Sequence, residues 1–187
     1  MPVTTLDPKT ALIVLDLQKG IAGYPLLHPM ADMVARSNEL ARAFRAKCLP
    51  VVLVTVDDTP PGRTEQARGT PNRPADFADL VPNLDHQPGD ILIRKKSSGA
   101  FARTELEAKL RALGVTQVVL TGVSTSSAVE STGRQAYELG FNVTFPLDAT
   151  TDARQEAFDH SVEKVFPRLG ERGSTQDVLN ALQAVHA

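Results

Sequence analysis

Gly122-Val123-Ser124-Thr125-Ser126-Ser127-Ala128-Val129-Glu130-Ser131-Thr132 follows the apolar run Val118-Val119-Leu120 and precedes a helical pattern. It reads as a buried strand that ends, turns tightly and opens a helix. Ser127 and Glu130 stand at capping-box spacing: the Ser127 side chain would accept a first-turn N–H while Glu130 reaches back to the Ser127 amide. Such a turn gathers backbone N–H groups at the carboxyl edge of a sheet, where they can meet developing negative charge.

Outward from this stretch, strand and helix signals alternate. Ala11-Leu12-Ile13-Val14-Leu15 is apolar on both faces, as a central parallel strand should be, and stops at Asp16. From Pro29 to Lys47 the apolar Met33, Val34, Leu40, Ala41 and Phe44 recur at helical spacing opposite Arg36, Glu39, Arg42 and Arg45. The next strand, Val51 to Val56, ends at Asp57-Asp58, and Ile91-Leu92-Ile93 is a third, followed by Arg94-Lys95-Lys96. Thr104 to Leu113 is a short amphipathic helix closed by Gly114, and Gln117 to Val123 is the fourth strand. A helix from Ser127 to Leu139 ends at Gly140, and Asn142 to Leu147 is the fifth strand, its Pro146 signalling an edge or a bulge. A helix from about Ala153 to Val165, a short strand or extended segment from Arg168 to Arg172, and a final helix capped by Ser174-x-x-Asp177 complete the chain.

This order predicts an α/β three-layer sandwich: a mostly parallel six-stranded sheet with helices on both faces, one domain over residues 1–187, sites at the carboxyl ends of the strands. Residues 59–90 concentrate the turn formers Pro60, Pro61, Gly62, Gly69, Pro71, Pro74, Pro82, Pro88 and Gly89. An excursion of that length reads as a functional loop or lid, with one turn of helix at Asp76 to Leu80.

The totals exclude several classes. With 20 basic and 22 acidic residues the net charge is 20 − 22 = −2, and there is no Trp, so no nucleic-acid partner, membrane partner or base-stacking surface is expected. The longest apolar runs are strand-sized, short of a membrane span. Cys48 is the lone cysteine and reads as a small buried hydrophobe before the second strand, at the end of the sheet away from the site. With no secretory leader signal the expected location is cytoplasmic. His28, His86, His160 and His186 have no partners at ligand spacing, so no metal and no cofactor is expected, and a small-molecule substrate is the expected partner.

Leu15-Asp16-Leu17-Gln18, then Lys95 six residues before Phe101 in Gly99-Ala100-Phe101, then Gly122-Val123-Ser124-Thr125 resemble, in order, the motifs of the isochorismatase-like hydrolase superfamily. The likeness runs from about residue 9 to 183. Gly99-Ala100-Phe101, Val129-Glu130-Ser131-Thr132 and Phe166-Pro167-Arg168 are similar to the YecD-like branch. The resemblance implies a Rossmann-like topology, a homo-oligomer (dimer or tetramer), a cis peptide between Val123 and Ser124, and a catalytic group of Asp16 and Lys95. It places Gln18, Phe101, Val123, Ser124, Thr125 and Ser127 around the substrate or oxyanion. Amide-cleaving members carry their nucleophilic cysteine where this chain has Ala128. Nicotinamidase members carry a metal motif after the second strand, where Asp57-Asp58-Thr59-Pro60-Pro61 has no histidine.

Three functions stay open on the residues. In the first, a metal-free hydrolase acts on a small anionic molecule: as the resemblance to isochorismatase implies, Asp16 protonates the vinyl carbon of an enol ether, while Lys95 orients a substrate carboxylate and the Ser124 and Ala128 amides donate to an oxyanion. In the second, a cysteine amidohydrolase is inactivated by alanine at position 128. The third is a non-catalytic small-molecule binding module; separately, Asp16 and Lys95 could form a buried ion pair that only fixes strand ends.

Overall fold

Every residue of β1 (Thr10–Leu15) is buried, which is why its sequence has no polar face. Leu12 and Val14 enter one apolar cluster with Leu40 and Phe44 of α2 (Met30–Ala46) and Val178 and Leu182 of α6 (Thr175–Gln183). Ala11, Ile13 and Leu15 enter a second with Leu106 and Leu110 of α3 (Leu106–Ala112) and Ala136 of α4 (Glu130–Glu138). Two-residue alternation therefore feeds two cores, one on each face of the sheet. The computed structural model describes residues 3–65 and 73–185, which also hold the short helices α1 (Lys19–Ala22) and α5 (Gln155–His160).

The sheet adds β2 (Val51–Val56), β3 (Ile91–Lys95), β4 (Gln117–Val123), β5 (Asn142–Pro146) and β7 (Glu171–Gly173) in the order β3-β2-β1-β4-β5-β7. A two-residue β6 (Thr150–Thr151) pairs with the end of β4, making seven strands among the described residues rather than the expected six. All of these pairings are parallel. The order reverses between β1 and β4: β2 and β3 build outward on one side of β1, β4 and β5 on the other. Their carboxyl ends splay apart at that reversal and leave a crevice, the usual ligand position in open α/β sheets.

Several local expectations are corrected. The single helix expected from Ser127 is a π-helical turn, Thr125–Val129, that runs on into α4. Its first residue follows Ser124, whose carbonyl accepts from the Ser127 and Val129 amides. The Ser127–Glu130 capping box therefore does not form: Glu130 instead accepts from Ser161 Oγ at 2.6 Å and Arg134 Nε at 3.0 Å. Pro146 ends β5, which lies between β4 and β7 and is no edge strand. Cys48 is exposed, not buried, because the chain turns there with φ 55° after α2. The helical turn expected at Asp76 to Leu80 is reduced to two turn bonds, Phe77 N to Pro74 O and Asp79 N to Asp76 O. Gly69 and Pro71 of the long loop, and His186, lie outside the described residues. The Ser174–Asp177 box at the start of α6 forms in full.

Candidate active site

Asp16 is the first residue beyond β1 and sits in the left-handed region at φ 55°, its amide donating to Val54 O at 2.9 Å. Aspartate tolerates that conformation better than most residues, and non-glycine residues held there cluster at functional sites. Lys95 is the last residue of β3, in register with Val56 of β2. Its side chain crosses the end of the intervening strand, and Nζ meets Asp16 Oδ2 at 2.8 Å. Nζ also donates to Ser97 O at 3.0 Å and Ser98 O at 2.9 Å. An ammonium has three protons, so all of Lys95's donors are engaged within the protein.

The other Asp16 oxygen is different. Oδ1 is buried and has no hydrogen-bond partner among the described residues. Burial pushes the Asp16 pKa up from the ordinary 3.8 to about 6, and the charge and hydrogen bond of Lys95 only partly oppose it. Desolvation outweighs the ion pair because a single ammonium, shared with two carbonyls, replaces a full shell of water.

Opposite Asp16, β4 ends at Gly122 and Val123. Gly122 lies at φ 114°, and a Cβ there would stand 2.0 Å from Leu15 O, so only glycine lets β4 approach the end of β1 this closely. The Val123–Ser124 peptide is cis. The following π-helical turn is held from below by a hydrogen bond between the Thr125 and Thr150 hydroxyls (2.8 Å) and from the side by Asp152. Asp152 follows β6; its Oδ2 accepts the Ser126 amide at 2.7 Å, and its Oδ1 accepts Ala153 N at 2.8 Å and Arg154 N at 3.4 Å.

A cavity of about 280 Å³ lies among these groups. Of the residues singled out from sequence, Asp16, Lys95, Val123, Ser124, Ser127 and Ala128 line it. Three others do not. Gln18 is fully buried as a clamp, accepting Val56 N and donating to Val56 O and Phe77 O, and so ties the long loop to β2. Phe101 packs on Phe141 at 5.7 Å within the α3–α4 core. Thr125 spends its hydroxyl on Thr150. The sequence reading missed Asp152, Asp58 and Tyr24, which all line the cavity. A larger cleft, about 510 Å³, lies over the exposed face of β3, but none of its lining residues has an unpartnered buried polar atom. Chemistry, not volume, selects the smaller cavity.

An apolar-walled crevice at the switch point of a parallel sheet, with a buried acid on a lysine, is the kind of place where open α/β folds bind small molecules. The isochorismatase domain matches residues 10–177 of this chain, which belongs to the isochorismatase family. The chain is 39% identical to the isochorismatase family protein YecD of Escherichia coli O157:H7, over 92% of this chain and 96% of that protein. It is 28% identical to the ureidoacrylate amidohydrolase RutB of Stutzerimonas stutzeri, over 88% and 80% respectively. An isochorismatase family protein of Burkholderia thailandensis superposes with a TM-score of 0.93 at 37% identity, over 98% of this chain and all of that one. The chain is thus an isochorismatase-family hydrolase, and among its described residues no helix is long and apolar enough to cross a membrane.

Proposed function

We propose that the cavity hydrolyses a small molecule by proton transfer at Asp16, with no covalent cysteine intermediate. One observation carries this: a buried carboxyl oxygen without a partner among the described residues, Asp16 Oδ1, on an acid whose pKa is pushed up to about 6. An acid of that strength is about one-tenth protonated at pH 7. It holds its proton long enough to give it and is weak enough to take it back.

Enol-ether cleavage is the leading chemistry because a positioned acid suffices for it. Asp16 protonates the vinyl carbon, and the electron pair of the C=C bond forms the new C–H bond, leaving an oxocarbenium ion. Water adds to the neighbouring, oxygen-bearing carbon of that ion and returns a proton to Asp16. The hemiketal then collapses to a ketone and an alcohol, one water consumed overall. Lys95 anchors Asp16 Oδ2 so that Oδ1 is the oxygen that carries the proton. The Ser124 and Ala128 amides are the donors we assign to substrate oxygen, and a cytoplasmic homo-oligomer is the setting we assign on the family resemblance.

A second reading is favoured by the similarity to RutB: an amidohydrolase that lacks its thiol because position 128 is alanine. It predicts that Ala128→Cys gains amide hydrolysis or a trappable acyl-enzyme. The test of the first reading is a panel of vinyl ethers, amides and lactones assayed against the wild type, Asp16→Asn and Lys95→Ala. Turnover should fall by about 100-fold or more in Asp16→Asn. Activity on every hit that survives both substitutions overturns the assignment, and ligand binding without turnover in any variant points to a binding module.

A further inference from the structure

The charges around the cavity do not match an anionic substrate. Among the described residues that line it, Lys95 is the one cation, and its three protons already serve Asp16, Ser97 and Ser98. A substrate carboxylate would have to break one of those bonds to be met by Lys95. Against that single ammonium stand three carboxyl groups, Asp16, Asp58 and Asp152.

Each of the three has accepting capacity left. A carboxylate offers about four lone-pair sites. Asp152, 5% exposed, uses three on backbone amides. Asp58 is exposed and accepts from Thr59 N at 2.8 Å. Asp16, a cavity-lining side chain only 7% exposed whose Oδ1 accepts from none of the described residues, separates this group from an ordinary solvated acidic cluster. The remaining walls include Ile21, Leu26, Val56 and Pro60, with the ring of Tyr24, 55% exposed, as an aromatic face of the kind cations stack on.

We propose that the pocket takes a substrate bearing positive charge, an ammonium or amidinium on a small apolar body, rather than a carboxylate. This rests on the reading that the cavity is the active site. A cleft with two carboxylates in excess of its cation concentrates cations and repels anions, and low-dielectric walls strengthen both effects.

Three probes of matched size test it: benzylammonium, benzyl alcohol and phenylacetate, titrated into the ¹⁵N-labelled protein above neutral pH. Benzylammonium should shift the Ser126 and Ala153 amides and bind at least about tenfold tighter than phenylacetate, with added salt weakening it. Asp58→Asn, an exposed substitution that spares the core, should lower benzylammonium affinity several-fold. Equal or tighter binding of phenylacetate overturns the inference but leaves the site in place. Silence of these amides toward all three probes overturns it as well, and if Asp16→Asn also keeps full hydrolytic activity the reading of the site falls separately.

Discussion

Replacing Asp16 by asparagine should change how stability depends on pH, by an amount set by the burial of its carboxyl. The folded-state pKa is about 6 against the ordinary 3.8, a rise of about 2.2 units, and each unit corresponds to about 1.36 kcal/mol. Because the folded state holds this proton more tightly than the unfolded chain, the contribution has a definite sign. It is fully present below pH 3.8 and is lost as pH rises through 6. Relative to Asp16→Asn, the wild type should therefore lose about 3 kcal/mol of stability between acid and neutral pH. Urea denaturation of both proteins at several pH values measures this, and taking the difference cancels the other carboxylates. A difference that stays flat, or a wild type that gains relative to the variant as pH rises, would refute the argument that desolvation outweighs Lys95 at this site.

Other outcomes follow from the same geometry. Gly122→Ala should cost about 3 kcal/mol or more, since it combines a φ of 114° with a Cβ inside the backbone of Leu15; Gly114→Ala, at φ 71° in open space, should cost about 1 kcal/mol, and denaturation midpoints compare the two. Asp152→Ala should cost about 2 kcal/mol and speed hydrogen exchange at the Ser126 and Ala153 amides, which lose their shared acceptor. Ser174→Ala removes the cap of α6 and should lower stability by about 1 kcal/mol in a thermal or urea melt.

Much of the frame was legible because parallel strands buried on both faces write themselves as near-continuous apolar runs. Ala11 to Leu15, Val51 to Val56 and Gln117 to Val123 needed no further context, and each is followed by a residue at the carboxyl edge. The start of α6 was equally plain, since Ser174 and Asp177 satisfy each other within four residues. Where a residue's partner is distant in sequence, the signal failed. Glu130 is drawn away from Ser127 by Ser161, 31 positions on. Asp152 follows a strand of two residues, too short to leave a pattern, and its importance comes from an amide 26 positions earlier. Lys95 does meet Asp16, but nothing in Arg94-Lys95-Lys96 foretells that Ser97 and Ser98 turn back to occupy its protons. Cys48 went wrong because residue type suggests burial whereas the left-handed turn after α2 turns the chain outward.

The pH dependence of kcat/KM on a substrate from the hydrolysis panel bears most directly on Asp16 as the group that gives the proton. With Asp16 as the acid, kcat/KM should be level below about pH 6 and fall about tenfold per unit above it, and the break should vanish with the activity in Asp16→Asn. A profile without that break, or one unchanged in Asp16→Asn, would contradict the account.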